Sequence, residues 1–267
     1  MLDACVTQGA GLQGLSTQAS PRLVVMASHD DRSSELPLLW SLCSAWSELG
    51  YFPVVLDATQ NESSSNPGLQ QLLAPSGRQE DMPHETMETV WSIYPAAIGL
   101  RQLCAAPQDE GTAPFEALAQ LFQSHDVVLL YANADVLASA LAGSPVEPLL
   151  AVSTNERSVL TAYQALKRLL LNGRLRPTIV SMVDTSDQNS LASARNLNKS
   201  LQACAMNFLG QQITTLSVDM HEEDEAPRDV NRLALRLLES GMPRPTDTTL
   251  PRWPEVMSDN DVGKRSH

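Results

Sequence analysis

Lysine is nearly missing from this 267-residue chain. Only Lys167, Lys199 and Lys264 are present; with the arginines they make 18 cations against 31 Asp and Glu, a net charge of −13. A chain so acidic is repelled by phosphate backbones unless it gathers a local basic patch. The densest basic stretch, Arg174–Arg176, falls in a short loop, so no nucleic-acid partner is expected. Cysteine is sparse too: Cys5, Cys43, Cys104 and Cys204 stand far apart and form no CxxC pair. That spacing fits neither a zinc site nor a disulfide framework and points to reduced thiols, as in a cytosol. The five histidines show no HExxH-like spacing, so no metal is expected. No apolar run approaches the roughly 20 residues of a spanning helix. The opening MLDACVTQGAGLQGL also lacks the basic n-region of a secretory signal.

What is there reads as a folded core. Hydrophobic residues make up 43% of the chain and charged ones 18%, outside the disordered range. Residues 1–20 form an extension anchored by Leu2, Leu12 and Leu15. RLVVMAS (Arg22–Ser28) is then an apolar run of strand length. A helix capped by Ser33 or Ser34, with Pro37 in its first turn, runs to Gly50. PVVLDAT (Pro53–Thr59) is a second buried strand. Strand, helix and strand within about 35 residues make a βαβ unit and imply a parallel sheet. Residues 60–89 are a polar excursion with a short helix around Gly68–Leu73, and Thr89–Ile98 reads equally as strand or surface segment. Further strands are expected in His125–Ala132, Glu147–Thr154, Arg176–Val183 and Gln212–Asp219. Helices are expected at Phe115–Gln123, Ser158–Leu171, Ser190–Phe208 and Asp229–Glu239. The expected fold is a single α/β domain over residues 21–241, a three-layer sandwich around a mostly parallel doubly wound sheet. Residues 242–267 read as a polar, disordered tail.

In such folds ligands sit at the carboxyl ends of the strands, and the loop after the first strand is the usual phosphate cradle. A cradle needs glycines for close backbone approach, a lysine for charge and a hydroxyl for Mg²⁺. Here the segment is Ser28-His29-Asp30-Asp31-Arg32-Ser33-Ser34-Glu35-Leu36, without glycine or lysine. Its three carboxylates would face a triphosphate. Two like charges about 4 Å apart cost on the order of 4 kcal/mol at an effective dielectric near 20.

Leu23 to Thr59 nevertheless resembles, without gaps, the start of MinD/ParA-type ATPases of the SIMIBI P-loop class. Ser28 matches the first serine of a Walker motif similar to SGKGGVGKST. SLCSAWSELG (Ser41–Gly50) resembles NLAAALAELG, and VVLDAT resembles LLIDAD. The differences fall on the chemical positions. Asp30 stands at the signature lysine, Glu35 at the Walker A lysine and Leu36 at the Mg²⁺ hydroxyl. Asp57 matches the acid after the second strand, with Thr59 replacing its companion. DVVLLYANA (Asp126–Ala134) is similar to DYIIVDTPP, with Tyr131 at the metal-side aspartate. IVSMV (Ile179–Val183) is similar to VVNRV, with Ser181 at the base-reading asparagine. STNERSVLTAYQALKRL (Ser153–Leu169) and NFLGQQITTLSVD (Asn207–Asp219) resemble segments of FlhG/FleN-type flagellar-number regulators. TQGAGLQGL (Thr7–Leu15) resembles the DQAxGLR motif that engages the GTPase FlhF, with Gln8, Gly11 and Leu12 matching.

The resemblance implies a degenerate nucleotide site formed by Ser28, Asp30, Glu35, Leu36, Asp57, Tyr131 and Ser181, with no catalytic residue and no cofactor. It implies a cytoplasmic regulator or scaffold of flagellar number or placement, whose partners are an FlhF-like GTPase or flagellar assembly proteins. Bound ATP and Mg²⁺ belong to the alternative, a weak or atypical ATPase switch. A third possibility is an accessory role in polysaccharide secretion or chromosome partitioning. Individual residues have plainer readings beside these. Asp57 is also an ordinary polar strand end, and Tyr131 a packing residue at the sheet edge. NRLALRLLES (Asn231–Ser240) is either a short interfacial face, allowing peripheral contact at the inner face of the membrane, or a core-packing face.

Overall fold

Each expected strand forms, because each is a β-branched or leucine-rich run long enough to cross the sheet. The computed structural model describes residues 20–74, 91–105, 114–183, 188–219 and 228–240. The expectations placed on Gln8, Gly11 and Leu12 and on residues 242–267 lie outside those residues.

The strands are β1 (Arg22–Ser28), β2 (Pro53–Asp57), β3 (Ser92–Pro95), β4 (Val127–Asn133), β5 (Leu149–Val152), β6 (Thr178–Val183) and β7 (Thr214–Asp219). They form one sheet in the order β3-β2-β4-β1-β5-β6-β7, with every pairing parallel. The short β3 settles the ambiguous segment as an edge strand. The helices are α1 (Arg32–Glu48), α2 (Leu69–Leu72), α3 (Ala97–Ala105), α4 (Pro114–Leu121), α5 (Ala134–Ala140), α6 (Glu156–Arg168), α7 (Gln188–Leu209) and α8 (Arg228–Ser240). A five-residue π-helical turn, Leu169–Gly173, extends α6. Two helices, α3 and α5, were not foreseen.

Alternation along the strands divides the core in two. In β1, Leu23, Val25 and Ala27 join one cluster and Val24 and Met26 the other. The same holds in β4, where Leu130 and Ala132 face one layer and Leu129 and Tyr131 the opposite one. The first cluster is closed by α2 through α7, the second by α1 and α8. This is the three-layer α/β architecture expected. The apolar residues of α8, Val230, Leu233, Ala234 and Leu237, are buried on the α1 side, and the Trp46 indole donates to the Ala234 carbonyl at 3.1 Å. The face read as a candidate membrane surface is therefore core. Among the described residues no helix is long and apolar enough to cross a membrane.

The connections prepare a site at the end of β1. Its helix, α1, packs on one face of the sheet, while α5 and α6, which follow the neighbouring strands β4 and β5, pack on the other. The chain diverges around the carboxyl end of β1, the kind of crevice where α/β sheets bind ligands.

Candidate functional site

Only His29, Asp30 and Asp31 separate β1 from α1. Asp30 turns the chain with φ of 69°, the left-handed region a glycine would occupy without strain, and aspartate is among the side chains that tolerate it. Asp31, rather than Ser33 or Ser34, is the residue preceding the helix, and its carbonyl accepts the Ser34 and Glu35 N–H groups. Its carboxylate is ringed by hydroxyls: Ser33 and Ser34 from α1 and, at 3.0 Å, Ser153 from beyond β5. Burial pushes this carboxyl up. The hydroxyls of Ser158, Ser33, Ser34 and Ser153 outweigh that and hold it well below the usual carboxylate range.

Glu35 does not face solvent. It turns inward from the first turn of α1 and is fully buried. One oxygen accepts the backbone N–H of His29 at 2.6 Å and of Asp31 at 3.3 Å. The other accepts the Ser28 hydroxyl at 2.9 Å and the Tyr131 hydroxyl. The N–H groups that would cradle a phosphate after a first strand are thus occupied by a carboxylate of the chain itself. His29 is buried beside it, with Nε2 3.6 Å from the nearer Glu35 oxygen. The Nε2–H donates to the Ala151 carbonyl at 2.6 Å, since a carbonyl can only accept, and Nδ1 lies 2.8 Å from the Thr161 hydroxyl.

Tyr131 ends in the same knot. It lies on β4, a central strand, so the sheet-edge placement is corrected. Burial, the bond to Glu35 and the nearby Glu35 and Asp57 charges push the phenol pKa up, against the Ser28 contact, and keep it protonated. Asp57 stands opposite Tyr131 in the β2–β4 register. Its Oδ1 accepts both the backbone N–H and the hydroxyl of Thr59, at 2.9 and 2.6 Å, which closes the turn after β2.

Ser28, Glu35, Asp57 and Tyr131 are therefore brought together. Asp30 is exposed at the tip of the loop. Leu36 packs against the α1–α8 core. Ser181 is buried on β6, where it donates to Asn198 of α7 at 2.6 Å, and Asn198 donates on to Ser217 at 3.3 Å. The expectation that three carboxylates face a triphosphate is corrected: Glu35 points inward and Asp31 holds the helix start. Beside the loop lies a cavity of about 180 Å³, lined by residues that include Asp30, Asn133, Gln164 and Arg168, below the roughly 300 Å³ usual for a ligand pocket.

Sequence reasoning missed another buried carboxylate. Glu62, in the excursion after β2, accepts the N–H groups of Gln70, Ile98 and Gly99 at 3.2, 2.7 and 2.7 Å, binding the starts of α2 and α3 together. A Cβ on Gly99 would come within 2.7 Å of the Gln70 nitrogen. No sequence signal marks Glu62, because its partners are backbone groups up to 37 residues away. Among the described residues no group of His, Cys, Asp and Glu gathers as metal ligands would.

No protein-family model matches the sequence, and no curated protein matches it. Solved structures do. The MinD cell division protein of Aquifex aeolicus superimposes with a TM-score of 0.54 at 12% identity, over 83% of this chain and 98% of that one. The MinC:MinD complex of the same organism gives 0.49 at 12% identity, over 83% and 97%. A ParA family ATPase from Chlorobium tepidum TLS gives 0.47 at 12% identity, over 84% and 92%. At such identity the likeness to MinD is one of fold.

Proposed function

We propose that the protein is a nucleotide-independent regulator or scaffold that works by binding other proteins. The resemblance of its sequence to FlhG-type regulators suggests the setting, control of flagellar number or placement through an FlhF-type GTPase or a flagellar component. The observation that supports this reading is the Glu35 carboxylate, seated on the backbone N–H groups at the end of β1. A nucleotide phosphate would have to displace a buried, four-fold hydrogen-bonded anion or lie against it, and close like charges cost several kcal/mol. Asp30 and Leu36 offer neither the charge nor the hydroxyl that would offset this.

Thermal unfolding with millimolar Mg-ATP, ADP and GTP tests the reading. A ligand at 100 times its Kd adds about 2.7 kcal/mol, which moves the midpoint of a domain of this size by several degrees. We expect no shift with any of the three. An ATP-specific shift would overturn the reading in favour of an ATPase switch. For the partner, titration with an FlhF-type GTPase should show binding without stimulated GTP hydrolysis, weakened at least tenfold by Leu12→Asp. Unchanged affinity in that variant would remove Gln8, Gly11 and Leu12 from the proposed contact.

A further inference from the structure

The acidic composition hides a segregation of charge. Between Arg157 and Val183, and again between Gln188 and Leu209, the chain has no Asp or Glu. Five cations fall between Arg157 and Arg176, and Arg195 and Lys199 add two; all seven are exposed. Of the first five, Arg157, Lys167 and Arg168 belong to α6 and Arg174 and Arg176 to the loop into β6; the other two belong to α7, and the two helices lie in one layer on one face of the sheet. Counting the exposed Glu156 that opens α6, the two helices and their loop carry +6 and the rest of the chain −19, within a net charge of −13. The fold thus sets on one layer cations that the sequence spreads over some forty positions. One of the seven, Arg168, is held by Asp135 of α5 at 2.9 Å.

The same face is apolar in places. Leu160, Leu171 and Met206 are 59%, 52% and 51% exposed. Leu160 and Leu171 share a stripe with Arg157, Gln164 and Lys167, three or four residues apart along α6. In the π-helical turn Leu169 and Leu170 are buried while Leu171 and Asn172 stand in solvent. A hollow of about 280 Å³ opens beside them, lined by Gln164, Lys167, Arg168, Leu171 and Asn172. Arginine and methionine on a surface with recessed apolar points are the composition of protein interfaces.

We propose that the α6–α7 face is the docking surface for an acidic amphipathic helix of a partner protein, its apolar anchors seated between Leu160, Leu171 and Met206 and its carboxylates on the surrounding arginines and lysines. Charge complementarity selects the partner. The positive face steers an acidic chain toward it, while the net −19 of the rest of the chain disfavours its binding elsewhere. A phosphate backbone would meet the cations but offers nothing to the three apolar side chains. The proposal rests on the binding-module reading above, yet fails separately from it: a nucleotide shift overturns that reading and leaves this face unaddressed.

The probe is a labelled helical peptide with leucines at i, i+3 and i+7 flanked by glutamates, titrated with the full chain by fluorescence anisotropy. Three controls accompany it: a scrambled peptide whose leucines share no face, a DNA duplex, and phosphatidylcholine–phosphatidylserine vesicles. We expect saturable binding of the helical peptide, weakened by added salt. The Leu160→Ala/Leu171→Ala variant and, independently, Lys167→Glu should each weaken it tenfold or more with the unfolding midpoint unchanged. Equal binding of the scrambled peptide, binding of the duplex or vesicles in preference to the peptide, or no saturable binding would each overturn the proposal.

Discussion

Glu35 carries the heaviest consequence of any single side chain. Removing its carboxylate strands two backbone N–H groups and two hydroxyls in a buried place, and an unsatisfied buried group costs about 1–3 kcal/mol. Some of the four would find water or each other, so Glu35→Ala should lose about 3 kcal/mol, read as a fall in the denaturation midpoint. Because the groups left behind form a cradle for an anion, formate or phosphate at tens of millimolar should restore part of the loss in Glu35→Ala and none in the unaltered chain. Absence of rescue by both would mean that the loop collapses instead of holding its shape. Asp31 gives a pH signature. Its folded pKa is depressed, so its contribution is present above the unfolded value near 4 and lost as pH falls below it. Asp31→Asn should therefore lower stability at pH 7, by a difference that narrows progressively as pH falls below about 4, measured by urea unfolding across pH. A constant difference at all pH values would show that the serine ring does not prefer the ionised form. Cys43 is chemically quiet by comparison, since burial pushes its thiol up.

Among the elements, α8 and α3 test the packing most directly. Leu233 is buried against the α1 side, and Leu233→Ala should cost about 2–5 kcal/mol, whereas a membrane-facing leucine would cost almost nothing in solution. At Gly99 the nearest atoms to a new methyl are backbone and side chain of α2, so Gly99→Ala should cost about 1–3 kcal/mol through overpacking. What could be read from the sequence follows from the same physics. The strands β1, β2, β4, β5 and β6 announce themselves because inner parallel strands are near-continuous apolar runs, and the edge strand β7 through the β-branched residues of TTLSVD. Helices α3 and α5 do not. Their short apolar patterns, AIGLRQLCA and ADVLASA, directly follow strand ends, where the two periodicities blur. The candidate site was legible as a set of positions but not as a geometry. That Glu35 is an acid where a lysine was expected is plain in the sequence; that it folds inward depends on Tyr131, 96 residues away. The Ser181–Asn198 bond was equally out of reach, because it depends on which face the following helix, α7, turns to β6.

Over the whole molecule, the sheet order decides how the chain can acquire its shape in time. β1 is the first strand made and sits at the centre, yet its neighbours are Val127–Asn133 on one side and Leu149–Val152 on the other. During synthesis the half-sheet β3-β2-β4-β1 cannot close until residue 133 has left the ribosome. Until then Arg22–Ser28 and Pro53–Asp57, both almost wholly apolar, have no lasting cover. Parallel pairings over such separations are slow to form and leave edges open to other chains. Nascent chains stalled before residue 127 should remain protease-sensitive and chaperone-bound, and those released beyond residue 240 should become resistant together. The central place that makes the end of β1 the meeting point of the fold also makes its first strand the longest to wait.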